Sequence, residues 1–411
     1  MKRLRSVLAV CRAGSTAQAA ALLPLSQSAI ARAVRQLEAQ LGIPVFERGA
    51  RGMLPTREGR ILAHRADRAL TQLEQAEAEA SRLSDEAASS SSSSARALKG
   101  RFAGACSYRH LAAYIAFCET RSESAAARRL KVSQPAISQA LRQVEYMLGT
   151  SLFERLTRGM RLTESGEAVL RRAKLALNEL RLADEDLSEV HGRTRGRIVV
   201  GSLPLSAGVL VPRAVDRMLA NHGDLHVTVV DGTYDALLNQ LLHADVDVIV
   251  GALRTAQVSP HIVQMPLFAD TLSVVARHGH PLLHRPLRGL RDLAAASWIA
   301  PLTGTPARDA FERAFAADGV PAPEGPLEAN SAVVVQALLQ DSDRLALLSR
   351  RQVLRGMAAG LLDVIPVEVK ETTREIGLAL RKDADPGVGL RLFMEEMRSL
   401  VEDEYISDTH S

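Results

Sequence analysis

Gln134, Pro135, Ser138, Gln139 and Arg142 are spaced to lie along the first two turns of a helix that opens at Ser133. These side-chain types read the edges of DNA base pairs. A glutamine carboxamide matches adenine N6 and N7, and a proline ring packs on a thymine methyl. An earlier stretch carries Gln27, Ser28, Arg32 and Arg35 at the same spacing, with Ala31 where the later one has Ser138. The two helices should therefore prefer different bases. Downstream of each lie basic side chains suited to phosphate rather than bases, Arg48 and Arg51 first, then Arg155 and Arg158. The competing reading is that these four are ordinary solvated residues of a loop.

The second half offers a different constellation. Ser202, Leu203, Thr233, Arg254, Thr303, Thr305, Asn330 and Ser331 fall at ends of β-branched runs or at starts of helical patterns. Such places present hydroxyls and free N–H groups to an anion or a polyol. Each hydroxyl alone reads more readily as a plain helix cap. Together they point to a ligand crevice, with Arg254 placed to pair a carboxylate. His278 and His280 lack a third ligand, so no metal site is expected. No phosphate-binding loop, nucleophile elbow or zinc-protease motif occurs, so neither a cofactor nor an enzyme activity is expected.

The elements that hold the first constellation occur twice, at an offset of 107 residues (Ser26 to Ser133). The register holds without a gap over roughly seventy residues, which marks a repeated module. Phe46-Glu47-Arg48 returns as Phe153-Glu154-Arg155, and Gly59 as Gly166. Within the first copy, Ser15 opens a second helix and Pro24 breaks it. Ser26 caps a third helix, with Ile30, Val34, Leu37 and Leu41 at helical period, and Gly42 ends it. This is a helix-turn-helix followed by a wing. A long helix comes next in each copy. Its seam is Leu62, Ala66, Ala69, Leu73, Ala76, Ala80 and Leu83 in the first, and Val169, Ala173, Ala176, Leu180, Ala183, Leu187 and Val190 in the second. With fewer alanines, the second seam should pair more tightly.

The expected boundaries are a head at 1–58, a linker helix at 59–86, a serine-rich flexible tether at 87–107, a second head at 108–165 and a second linker helix at 166–192. From 196 to 405, short strands alternate with helices, which predicts βαβ units and a parallel sheet. About 215 residues is large for one sheet. Two lobes are expected, 196–275 with 380–405 and 276–379, with strands crossing near Ala276 and Ala379. Strands are expected at 271–276, 297–300, 327–329, 344–349 and 374–381.

Charge divides the chain at the same place. Residues 1–195 hold 31 Lys and Arg against 20 Asp and Glu; the rest hold 20 against 27. A basic half joined to an acidic half fits nucleic acid for the first and a small ligand for the second. Aromatics make up only 3% of the chain, which disfavours a stacking platform for single strands. Three cysteines without metal spacing fit reduced thiols, and no apolar run approaches a membrane span. A cytoplasmic protein is expected.

With both halves in view, the chain resembles the LysR-type transcriptional regulators. The resemblance rests on Ser133-Gln134-Pro135-Ala136-Ile137-Ser138, on Gln143-Val144-Glu145 with Leu148-Gly149, on Leu152-Phe153-Glu154-Arg155, and on Leu162-Thr163 with Gly166. Further on it includes Gly196-Arg197-Ile198-Val199-Val200-Gly201 and His280-Pro281-Leu282. Gly201-Ser202-Leu203-Pro204-Leu205 and Ile249–Arg254 are similar to the branch that controls sugar and aromatic-acid catabolism. The resemblance implies a winged helix-turn-helix on double-stranded promoter DNA. It also implies an α/β two-lobed effector domain like the periplasmic binding proteins, a sugar or aromatic or organic acid effector, and a homodimer or homotetramer. It carries base reading to Gln134, Pro135, Ser138 and Gln139, the last where the family commonly has Arg. The departure is the second head, since the usual chain has one. Two arrangements are open: the heads pair within one chain, or the second heads pair between chains. The rival reading is a solute-binding or interaction protein in which only the second head, or neither, binds DNA.

Overall fold

The computed structural model describes residues 1–49, 52–88, 101–156, 159–203, 210–255, 259–324 and 327–408. They form two compact units, Met1–Arg195 and Gly196–Ser411.

The first unit opens with α1 (Lys2–Ala13), α2 (Thr16–Leu22) and α3 (Gln27–Leu41), an antiparallel β1 (Phe46–Gly49) and β2 (Gly52–Pro55), and α4 (Arg57–Ala88). After α5 (Arg101–Ala105) the plan recurs as α6 (Tyr108–Thr120), α7 (Glu123–Leu130), α8 (Gln134–Leu148), β3 (Phe153–Leu156), β4 (Gly159–Leu162) and α9 (Glu164–Val190). The bounds of α8 are those of α3 displaced by the repeat offset, and the two wings match likewise. Ser26 caps α3 by accepting from the Ala29 N–H, and Gly42 closes it with φ 71°. Gly149 closes α8 in the same way with φ 70°, whereas Ser133 occupies the cap position without a side-chain bond.

The repeat also fixes how each wing is tied down. Glu38 accepts from the N–H groups of Val45 and Phe46, and Glu145 from that of Leu152. Thr56 and Thr163 cap the long helices at Gly59 and Gly166. A Cβ at Gly59 would lie 2.1 Å from the Val45 carbonyl oxygen, and one at Gly166 2.3 Å from that of Leu152. Only glycine allows the helix to pass so close to the chain entering the wing.

α4 packs along α9 of the same chain. Ala69, Leu73, Ala76 and Ala80 share one core with Val169, Ala173 and Ala176, and Leu62 meets Ala183 in the first head's core. Arg65 reaches Asp186 while Ser165 reaches the Ala80 carbonyl, so the helices run antiparallel. Of the stretch expected to be a tether at 87–107, residues 89–100 lie outside the described residues, and helix occupies part of what flanks them. α4 continues to Ala88, and α5 is packed, with Phe102, Ala103 and Cys106 buried in the second head's core. Phe102 donates its N–H to the buried Glu77 carboxylate. One aromatic in a short polar stretch has no period to betray it, yet its apolar surface suffices to dock a single turn.

The second unit runs β5 (Gly196–Ser202), α10 (Leu210–Asn221), β6 (Leu225–Asp231), α11 (Tyr234–Leu242), β7 (Val248–Ala252), β8 (Ile262–Asp270) and β9 (Leu272–Arg277). It continues with β10 (Trp298–Ile299), α12 (Pro306–Ala317), α13 (Ala332–Gln340), β11 (Leu345–Ser349), α14 (Arg350–Ala358), β12 (Leu362–Val364), β13 (Arg374–Arg381) and α15 (Val388–Asp408). One sheet has the order β6-β5-β7-β13-β8, the other β10-β11-β9-β12. β5 is parallel to β6 and β7, but β13 is antiparallel to both of its neighbours, so the first sheet is mixed rather than parallel. The expected strand at 327–329 reduces to a single bridge between Ala300 and Glu328.

The lobes divide elsewhere than near Ala276 and Ala379. Ala276 lies inside β9 of the second sheet and Ala379 inside β13 of the first, so the chain crosses at 270–272 and 372–374. A buried polar knot marks the place. Arg374 donates to Asp270 at 3.0 Å, Ser349 donates to the other oxygen of Asp270 at 2.7 Å, and Thr372 accepts from the Leu272 N–H. A buried aspartate requires such partners, and that requirement draws the two crossings together.

Candidate nucleic-acid interface and ligand cavity

Apolar residues Ile30, Val34 and Leu37 turn one side of α3 inward, and Ile137, Ala140, Leu141 and Val144 do so for α8. What remains outward is the predicted reading set. Gln27, Ser28, Arg32 and Arg35 are exposed in the first head; Gln134, Pro135, Gln139 and Arg142 in the second, with Ser138 half-buried. Arg51 and Arg158 lie outside the described residues, as do the side chains of Arg48 and Arg155.

The two faces are held differently. In the first head Gln27 donates to the Thr16 hydroxyl at 3.3 Å, and Ser26 and Ser28 share a hydrogen bond. The repeat equivalent of Thr16 is Glu123. Its carboxylate accepts from Gln134 at 3.4 Å and from the Ser138 hydroxyl, while Ser124 donates to Gln134. A negative charge thus sits among the polar side chains at the start of α8 and has no counterpart at Thr16. Sequence motifs do not single out Glu123, because it precedes the recognition helix and reads as an ordinary helix-start acid. Burial pushes the thiols of Cys106 and Cys118 up to about 12 and that of Cys11 to about 11, so none is poised to react.

In the second unit a cavity of about 220 Å³ opens between the lobes. Leu203, Thr233 and Arg254 line it from the first lobe, and Thr303, Thr305 and Asn330 from the second. Ser202 and Ser331 stand one residue outside the lining. Thr233 and Thr305 cap α11 and α12, so two helix N-termini face this space and α13 begins beside it. The Arg254 guanidinium lies 4.0 Å from the centre of the Tyr234 ring and donates to the Gly304 carbonyl at 3.3 Å. Its Nε and the Tyr234 hydroxyl are buried with no hydrogen-bond partner among the described residues. Burial raises the Tyr234 pKa, against the pull of Arg254, so the phenol stays protonated and available to donate. Tyr234 and Arg374 are not among the expected lining residues; each lies beside an expected feature, a helix cap and a crossing strand.

His278 binds Asp363 and His280 accepts from the Leu282 N–H. Among the described residues no three metal-ligating side chains come together. No helix among them is long and apolar enough to cross a membrane.

A winged helix-turn-helix plan and a two-lobed domain with a cleft fit a DNA-binding regulator with an effector domain. The pattern described as "Bacterial regulatory helix-turn-helix protein, lysR family" matches residues 1–60 and 108–167, and that of the "LysR substrate binding domain" matches 191–402. The chain belongs to the LysR family of DNA-binding transcriptional regulators. It is 36% identical over 385 residues to the HTH-type transcriptional regulator GalR of Pseudomonas putida, covering 93% of this chain and 92% of that protein. It is 33% identical to PcaQ of Agrobacterium fabrum, across 71% of this chain and 94% of PcaQ. Among solved structures, a full-length OxyR variant of Pseudomonas aeruginosa matches with a TM-score of 0.56 at 19% identity, over 71% of this chain and 95% of that one. CbnR matches with a TM-score of 0.53 at 21% identity, over 72% and 99%.

Proposed function

We propose that both heads read DNA and that the interlobe cavity senses a small polar or anionic metabolite, a sugar or an aromatic or organic acid. Gln134, Pro135, Ser138, Gln139 and Arg142 read one half-site, and Gln27, Ser28, Arg32 and Arg35 a different one. Arg48, Arg51, Arg155 and Arg158 hold phosphates. A tandem repeat of the head is supported by the matched element bounds and by PcaQ, which is covered almost whole while leaving unmatched a stretch of this chain about the size of one head and its helix. CbnR, which has been solved with its target DNA, supports a duplex as the partner.

The observation that carries the ligand reading is the buried Arg254 Nε and Tyr234 O–H, which have no partner among the described residues, in a cavity faced by two helix N-termini. Unsatisfied donors there cost stability unless an acceptor supplies the missing bonds. Binding draws the lobes together as in periplasmic binding proteins and shifts the population of head geometries on the promoter. The regulator works as a homo-oligomer in the cytoplasm. The test is a thermal-shift panel of sugars and aromatic and organic acids on the full chain and on Arg254→Met. An acid that raises the melting temperature of the wild type and not of the variant supports the reading. A panel in which the two respond alike refutes it.

A further inference from the structure

We infer that charges flanking α4 and α9 form a key that commits the two heads of one chain to each other, so that a single chain presents a complete and non-identical pair of recognition helices. The repeat makes the comparison direct. Arg65 is equivalent to Arg172, Glu79 to Asp186, Gln72 to Glu179 and Arg68 to Leu175. The first two pairs make matching bridges. Arg65 Nε donates to Asp186 at 2.7 Å, and Arg172 Nε donates to Glu79 at 3.1 Å. These contacts would survive in any pairing of the two helices.

The other two pairs would not. Glu179 accepts from Arg65 at 2.9 Å and from Arg68 at 2.8 Å, and its side chain is only 8% exposed. At the equivalent place on the other side, Arg172 donates to the neutral Gln72 at 2.8 Å. In a pair of α9 helices from two chains, Leu175 would stand where Arg68 stands, and the buried Glu179 would lose its second guanidinium. In a pair of α4 helices, Gln72 would stand for Glu179. Arg65, whose side chain is 3% exposed, would then face an amide instead of a carboxylate. A buried ion that loses a partner is strongly destabilised. The mixed pair alone joins Arg68 to Glu179. One chain therefore suffices for two half-sites, and these differ in sequence. That last consequence rests on the proposed reading of both heads; the key does not.

The experiment needs no DNA, so failure of the key and failure of the DNA reading stay distinguishable. Full-length chains carrying Leu73→Cys and Leu180→Cys, one batch labelled with heavy nitrogen, are unfolded, mixed equally, refolded together and oxidised. Because the two positions are repeat equivalents, all three helix pairings place their cysteines alike. Peptide mass spectrometry is expected to find 73–180 links with one label throughout, at every protein concentration. Links between labels at about half of the total, as random assembly of identical partners gives, would overturn the inference. Adding Gln72→Glu with Leu175→Arg gives both helices the whole key, and mixed-label links are then expected to appear and rise with concentration. Arg68→Leu with Glu179→Gln removes the discriminating pair and is expected to do the same, which covers the case in which the first variant does not refold. If both variants behave as the wild type, chain connection alone pairs the heads and the key is refuted.

Discussion

The heads at 1–60 and 108–167 place Glu38 and Glu145, Thr56 and Thr163, and Gly59 and Gly166 in matching contacts. At the surface they part. Thr16 faces Glu123 across the repeat, Ala31 faces Ser138, and Arg32 faces Gln139. At the first three pairs, which are tied to backbone groups, residue type and contact are both kept. Positions at the exposed face proposed to read bases differ in charge and in hydrogen-bonding capacity. Architecture and the proposed reading of DNA thus rest on different residues, and each can be tested separately.

The shared skeleton should break alike in both heads. Gly59→Ala or Gly166→Ala forces a Cβ against a backbone oxygen that cannot step aside, and each is expected to cost about 2–4 kcal/mol, measured by urea unfolding. A smaller penalty in one head would show that its wing is not held as described. The reading faces should break unequally. On a duplex selected by the protein from a random pool, replacing Gln134 and Arg142 with Ala is expected to cost about 1–3 kcal/mol each and to relax one half-site only. Replacing Arg32 and Arg35 is expected to relax the other. Glu123→Gln should instead raise affinity, by about 1 kcal/mol, because it removes a negative charge from a surface that approaches phosphates. Thr16→Glu should lower it.

Acid should weaken the pairing of α4 with α9. Burial alone would raise the Glu79 pKa, but its bonds to Arg172 and Arg171 outweigh that and hold it below the ordinary 4.5. Its contribution is therefore complete above about 4.5 and is lost as pH falls through the depressed value. Urea midpoints between pH 6 and about 3 should show this loss, and Glu79→Gln should flatten it. The smallest contrast lies at the caps. Ser26→Ala is expected to cost about 1 kcal/mol and Ser133→Ala markedly less, since only Ser26 bonds the helix N–H.

The repeat makes the heads legible in the sequence itself. Once Ser26 and Ser133 are aligned, one helix predicts the other, and α3 and α8 have the same bounds. Punctuation likewise marks α11 and α12, which start at side-chain caps on Thr233 and Thr305. Long-range pairing is not legible in this way. Asp270 and Arg374 are a hundred residues apart, and nothing local marks them as partners, so strand pattern alone puts the crossings too far along β9 and β13. Phe102 lacks neighbours to make a pattern. Tyr234 looks like an ordinary first-turn residue, and only the fold brings its ring beneath Arg254. Sequence carries what the chain does to its near neighbours; meetings across the fold have to be seen.

The antiparallel packing of α4 on α9 within one chain has a consequence for scarcity. Heads assembled from two molecules come apart on dilution, because their association is bimolecular and depends on how many copies a cell holds. Heads joined on one backbone meet at a local concentration set by the connecting residues, which dilution does not touch. At a few copies per cell, every molecule would still carry its two heads paired.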